Sequence, residues 1–319
     1  MNSKYLLMVT LLGCFCLSGA QCSQIVAPTF PPIPQVYYTP PLLGQLIQTV
    51  NENTQKVTQL HTQGATISSP SLPMSLSAEM AMERPHRFRM RASTSFTGPE
   101  LDLGVNDERF WVWLKRSQVP QTYFARHSEF QTTQMQKIMP VKPQWLLEAM
   151  GLVYLDPSGS YQGPITRPDG NYELRANIQG TDGSLTKVYV IDWRFATVLE
   201  QHVYDDRGQL LASVIAGEHR LYPLWKVHLP HRLEIVLPPA QMDFELNVVS
   251  YSVNQLLMPP EQLWAMPQIP GYPAVDLART HLGPTLPSNS SIEPYRGIPG
   301  ASAVQQPPLN DSGWHGTGL

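Results

Sequence analysis

Glu79-Met80-Ala81-Met82-Glu83-Arg84-Pro85-His86-Arg87-Phe88-Arg89-Met90 sets the character of the whole chain. Neighbouring residues of a strand point to opposite sides, so a two-residue period marks a sheet with one buried face. Upstream, Met74, Leu76, Ala78, Met80 and Met82 share one parity, and Arg84 falls on it as well. Downstream, Arg87 to Ala92 alternates more cleanly still. Phe88 and Met90 are expected to face the core, with Arg87, Arg89 and Arg91 facing water. Pro85 between the two runs marks a turn.

The same pattern continues in both directions. Asn106-Asp107-Glu108 reads as a turn, Phe110 to Leu114 as the next strand and Thr122 to Ala125 as another. Further strands are expected over 172–179, 187–192, 198–204, 210–216, 232–237 and 244–251. They are separated by Thr181-Asp182-Gly183, Asp205-Asp206-Arg207-Gly208 and Pro238-Pro239. Two helices interrupt the series. Leu43, Leu46, Ile47 and Val50 repeat at helical spacing within 42–55. Residues 143–151 carry proline at the start and glycine at the end, with a compact apolar cluster fit to cover a sheet edge or a barrel mouth.

Outside this core the composition changes. Residues 1–20 read as a secretory leader: Lys4 precedes an apolar run from Tyr5, too short to span a bilayer. Leu11-Leu12-Gly13-Cys14 resembles a lipobox, with Cys14 as the lipidated residue. Ser18-Gly19-Ala20 offers ordinary cleavage after Ala20 instead. Residues 21–41 form a proline-rich spacer, 42–266 the folded domain, and 267–319 a Pro/Gly/Ser-rich tail expected to lack order apart from a docked segment near Tyr272 to Leu277.

Composition excludes several classes. Cys14, Cys16 and Cys22 are the only cysteines, so the domain has no disulfide, cysteine nucleophile or thiolate metal site. A net charge of −3 gives no electrostatic case for nucleic acid. No phosphate loop, dinucleotide fingerprint, Gly-x-Ser-x-Gly or His-Glu-x-x-His occurs, and no cofactor is expected. Ser184-Leu185-Thr186-Lys187 matches Ser-x-x-Lys but lies between a turn and a strand, without companion motifs. His228-Leu229-Pro230-His231 reads as a loop entering a strand rather than a metal site. The expected catalytic and metal sets are therefore empty.

Residues 79–90, followed by Gly104-Val-Asn-Asp-Glu-Arg-Phe-Trp-Val-Trp-Leu-Lys-Arg116, resemble the lipoprotein-carrier and receptor (LolA/LolB-like) family, in a divergent, planctomycete-type lipoprotein branch. The shared features are a strand ending in Arg-Pro and a turn before a Trp-aromatic strand. The resemblance implies a mainly β fold: a curved antiparallel sheet forming an open, unclosed barrel with helices over its opening. It implies an exported, membrane-anchored protein of the cell envelope, facing the periplasm. Its partners would be the membrane through the lipid anchor, lipid acyl chains or lipoproteins, and other envelope proteins. A structural or interaction lipoprotein with the same fold and no ligand is the alternative.

On that footing the ligand-binding residues are expected to be Arg84, Met80, Met82, Phe88, Met90, Trp111 and Trp113, around a vacant apolar hollow. Arg84 matches the family's arginine bonded to the lid helices; the other reading leaves it solvated in the turn before Pro85. Methionine and aromatic side chains suit flexible acyl chains, and equally suit plain core packing. Trp111 and Trp113 share a face, with Phe110 and Val112 on the other. The three arginines of 87–91 are either a contact for anionic lipid heads or an ordinary solvated face.

Overall fold

The computed structural model describes residues 36–117, 119–129, 145–180 and 183–279. Cys14, the leader, most of the spacer, the tail from residue 280, Pro143 and Thr181-Asp182 lie outside the described residues. Within them, alternation builds a 14-stranded curved sheet that does not close into a barrel.

The first run of strands is β1 (Gln59–Ser68), β2 (Leu76–Glu83), β3 (Arg87–Thr94), β4 (Gly98–Val105), β5 (Arg109–Leu114) and β6 (Thr122–Arg126). The second is β7 (Tyr161–Thr166), β8 (Tyr172–Gly180), β9 (Gly183–Ile191), β10 (Val198–Tyr204), β11 (Leu210–Gly217), β14 (Arg232–Leu237) and β15 (Met242–Val253). β12 (Arg220–Tyr222) and β13 (Val227–Leu229) form a separate hairpin, and β16 (Ala274–Asp276) pairs in parallel with β6 at one edge. All other pairings are antiparallel. The spatial order runs β16-β6-β5-β4-β3-β2-β1-β15-β14-β11-β10-β9-β8-β7. Each run is thus a meander, and the two meet at a single seam, β1 against β15, with Leu60 opposite Val253 and Ile67 opposite Leu246.

Three strands of this order escape the simple alternation. β1 is polar, and its register shifts between His61 and Ala65. Gly64 there has φ +80°, a left-handed conformation that glycine adopts without strain. β4 carries Pro99, Glu100 and Asp102, and β7 carries Gly163 and Pro164, which obscure a strand signal.

One face of the sheet is covered. α1 (Leu43–Gln55) buries Leu46, Ile47 and Val50 in one stripe, against Tyr172, Leu174, Tyr189 and Ile191 of β8 and β9. The Gln45 side chain accepts the Leu42 N–H at 3.0 Å and satisfies an orphan donor of the first turn. α2 (Trp145–Ala149) and the chain after it, to Leu155, continue the cover. α1 grips that segment through its side chains: Asn51 donates to Leu155 O at 2.7 Å and accepts Leu155 N–H at 2.8 Å, and Thr54 donates to Val153 O at 2.6 Å.

The other face of β1 to β5 is covered too, by residues 255–266 with α3 (Pro260–Leu263). This corrects the expectation that Arg87, Arg89 and Arg91 face water. Arg89 is buried: it chelates Asp102 at 3.1 and 2.7 Å and donates to the carbonyls of Gln262 and Leu263. Arg87 and Arg91 are half-buried and pair with Glu83 and Asp107, and with Glu79. The alternation placed the arginines on the face opposite Phe88 correctly, but that face is itself roofed.

Candidate functional site

The register brings the apolar residues of the opening sequence together. Met82 lies opposite Phe88 and Met80 opposite Met90 across β2 and β3, and Phe88 and Met90 lie opposite Val105 and Leu103 of β4. All belong to one buried cluster with Phe110, Ala125 and the lid residues Trp145, Leu147, Ala149, Met150 and Leu152. Met80, Met82 and Phe88 are each no more than 3% exposed. The vacant hollow expected from the sequence is therefore shut among the described residues. Methionines, sheet side chains and the apolar residues of the cover enclose it in one buried cluster. Met74 departs from its expected parity partners: it precedes β2 and is 46% exposed.

Trp111 and Trp113 require a correction. Trp111 pairs with Gly104 and Gly104 with Arg89, so both tryptophans stand on the outer face, away from Phe88 and the methionines. The Trp111 indole donates to Asp102 at 2.9 Å, with the Arg89 guanidinium 5.7 Å above the ring. Trp113 meets Tyr272 edge-on at 5.3 Å. Phe110, not its tryptophan neighbours, faces the lid cluster. Tyr272 and β16, with the buried Leu277, place the docked segment expected near 272–277 against the outer face and the edge of β6.

Arg84 follows β2 and is half-buried. Its Nε donates to Val57 O at 2.8 Å and its Nη2 to Leu152 O at 3.2 Å. Leu152 belongs to the lid segment, so this side chain ties the end of β2 to the cover. Among the described residues no carboxylate pairs with it, and burial lowers its pKa from the ordinary guanidinium value. Other ties hold the lid: Lys187 to Glu148 at 2.7 Å, and Gln201 Nε2 to Glu148 O at 2.5 Å. Beneath the lid Trp145 Nε1 and Gln201 Oε1 are buried without a hydrogen-bond partner among the described residues. Such orphans cost on the order of 1–3 kcal/mol each, so the shut arrangement leaves polar capacity unused. No spacing rule reveals these atoms, because they come from elements distant in sequence.

On the outer face a cavity of about 480 Å³ is built mainly from outward positions of β11, β14 and β15, with Ser213, Arg232, Glu234, Asp243 and Glu245 among its walls. Its walls mix apolar and charged side chains, and Arg232 pairs there with Glu234 and Glu245. Beside it His202 Nδ1 lies 2.9 Å from the Ser213 hydroxyl and Nε2 lies 3.2 Å from Glu200. Ser213 sits in a strand paired on both sides, with His202 and with Val236, so the ladder takes up the local N–H groups that would have to stabilise an oxyanion. His228 and His231 flank the β13–β14 connection. His231 Nε2 meets the Tyr222 hydroxyl at 3.1 Å and its Nδ1 meets Val248 O at 2.7 Å. Among the described residues no group of three or more potential metal ligands assembles.

No protein-family model and no curated protein matches the chain. Solved structures are similar to it at low identity and with TM-scores below 0.5. A DUF1329 family protein from Desulfovibrio piger matches over 69% of this chain and 97% of its own, at 12% identity and a TM-score of 0.46. A structure described as an outer membrane lipoprotein-sorting protein domain from Vibrio parahaemolyticus matches over 68% and 95%, at 11% identity and a TM-score of 0.44. A LolA superfamily protein from Nitrosomonas europaea matches over 69% and 96%, at 12% identity and a TM-score of 0.42.

Proposed function

We propose that this is an exported envelope protein that takes a lipid or lipoprotein acyl chain, without chemistry, between the methionine-lined face of β2 and β3 and the lid of residues 145–155. The observation that carries the reading is the nature of the cover. The interior over β2 and β3 is closed by a separate segment, tied at its end by Arg84 to Leu152 O, rather than by the sheet alone. Methionine repacks around a guest with little strain, and each buried methylene of the guest contributes about 0.8 kcal/mol. A dozen carbons therefore suffice for useful affinity once the lid lifts. Export would place the chain on the membrane through acylated Cys14, or free it by cleavage after Ala20. Mass spectrometry of the native protein distinguishes the two.

Saturable uptake of a fluorescent fatty acid by the purified chain is the direct test. Arg84→Leu removes two hydrogen bonds from a charged group, and release of the probe is expected to quicken by about tenfold. Uptake with unchanged release sinks the Arg84 tie alone. Absence of saturable uptake sinks acyl binding and leaves the second reading, a tethered scaffold. The closure of the interior to solvent, with Met82 1% exposed, is the observation that the second reading takes up.

A further inference from the structure

The β12–β13 hairpin carries an apolar tip that the acyl-binding reading does not use. Leu224 is 84% exposed and Trp225 36% exposed at its turn, with Leu221 41% exposed beside them. The hairpin base is fixed. The Tyr222 hydroxyl accepts Tyr251 N–H at 2.9 Å and meets His231, and Val227 and Leu229 are buried in the main core. The turn is closed by Trp225 N–H to Tyr222 O at 3.1 Å. Two exposed lysines flank it: Lys56, at the end of α1, donates to the carbonyl of Lys226 at 3.3 Å. Among the described residues neither lysine has a carboxylate partner.

We propose that this tip is a membrane wedge: Leu224 and Trp225 enter the headgroup region of an anionic bilayer while Lys56 and Lys226 meet its phosphates. Three features favour a bilayer over a protein. The exposed apolar surface of the hairpin is that of Leu221, Leu224 and Trp225, too few residues for a stable protein interface, which needs roughly 800 Å² per partner. Tryptophan beside leucine suits the boundary between headgroups and acyl chains. The lysines, without a carboxylate partner among the described residues, supply the charge that anionic headgroups complement. Because the hairpin base is already ordered, insertion demands little further ordering. The inference holds whether or not the interior takes an acyl chain.

The test uses the full chain with Cys14, Cys16 and Cys22 changed to serine and a polarity-sensitive fluorophore on Leu224→Cys. The vesicles are equal parts phosphatidylglycerol and phosphatidylcholine. The emission is expected to shift to the blue and to be quenched by shallow nitroxide lipids. The same fluorophore on Asp206→Cys, in the exposed β10–β11 turn, is expected to stay as in buffer. Changing Lys56→Glu and Lys226→Glu together, or using phosphatidylcholine alone, is expected to weaken the shift by about tenfold or more in lipid titration. Trp225→Ser provides a second variant, read the same way, with circular dichroism to check that the fold is kept. Attachment through the N-terminal segment cannot imitate a signal read at residue 224. The wedge is overturned if the probe stays water-like on vesicles that carry the chain. It is equally overturned if the shift arises without vesicles and grows with protein concentration, which would mean a second copy.

Discussion

Along β2 and β3 the covered face presents Met80, Met82, Phe88 and Met90, while the outer face, one residue over, presents Glu79, Ala81, Arg89 and Arg91. Both faces are roofed, by opposite means. Inside, the contacts around Met80, Met82, Phe88 and Met90 are apolar and without direction, and directed bonds from Arg84, Lys187 and Gln201 hold the cover around them. Outside, an apolar patch of Ala81, Leu263 and Trp264 is joined by many directed bonds. Arg89 clamps Asp102 and the carbonyls of α3, and Asn106 donates to Trp264 O at 2.9 Å. Leu257 N–H donates to His61 Nδ1, which leaves Nε2 to donate to Glu79 at 2.7 Å. That bond is the main reason the Glu79 carboxyl sits below its usual pKa. A greasy roof can slide or lift and be refilled, but a charge-bonded roof is held to one geometry. The sheet therefore has a compliant side and a rigid side.

The largest test of this contrast is Asp102→Ala. It strands the buried Arg89 charge and removes the acceptor of the Trp111 indole. Loss of one partner of a buried pair costs about 3–5 kcal/mol, read as a lower urea midpoint. Replacing both members, Arg89→Met with Asp102→Leu, is expected to recover most of that stability. A double variant as weak as the single one would mean that the pair's charge is not what matters. On the compliant side Met82→Ala is expected to cost about 3 kcal/mol, whereas Met82→Leu stays under about 1.5 kcal/mol. Equal losses would show that this face is as exacting as the other. Gly104→Ala comes next, at about 1–2 kcal/mol, because its methyl would collide with the Trp111 indole that lies on the strand.

The smallest effect is one of pH. Burial, ahead of the neighbouring His228 and His231, pushes His219 down to about 4 from its ordinary 6.5, with Asp192 opposing. The unfolded chain then binds the proton first as pH falls. The stability from keeping His219 neutral is full above about 6.5 and is lost progressively towards about 4. His219→Gln should flatten the fall in urea midpoint between these limits, and an unchanged slope would exclude His219 as its source.

How much of this was legible depends on where each signal lies. The β2–β3 alternation, α1 from its Leu46/Ile47/Val50 stripe and α2 from its flanking proline and glycine are local patterns, and the structure has them. Face parity also transferred: Arg89 and Trp111 share a side, as their positions require. What parity cannot say is whether a side is roofed. Residues 255–266, with Leu256-Leu257-Met258-Pro259-Pro260, have no period that announces a cover, so the arginines looked solvated and the tryptophans looked like lining. β1 was hidden by the Gly64 shift and by the buried polar His61 and Thr62, which are satisfied by Glu79 and Met80 of β2 and by Leu257. The Arg84 position could be read beforehand. Its acceptors, carbonyls of Val57 and Leu152, could not, since every residue type has a carbonyl.

The seam between β1 and β15 bears on how the chain reaches this shape. Every other junction of antiparallel strands joins segments that are near in sequence or become near once a hairpin forms. Leu60 meets Val253 only after almost the whole intervening polypeptide has been gathered. Closing so long a loop carries the greatest entropic cost, and it is repaid late. Each meander is thus expected to assemble as its own unit, with their zippering as the slow step. Weakening substitutions in the seam should then hasten unfolding far more than they retard refolding.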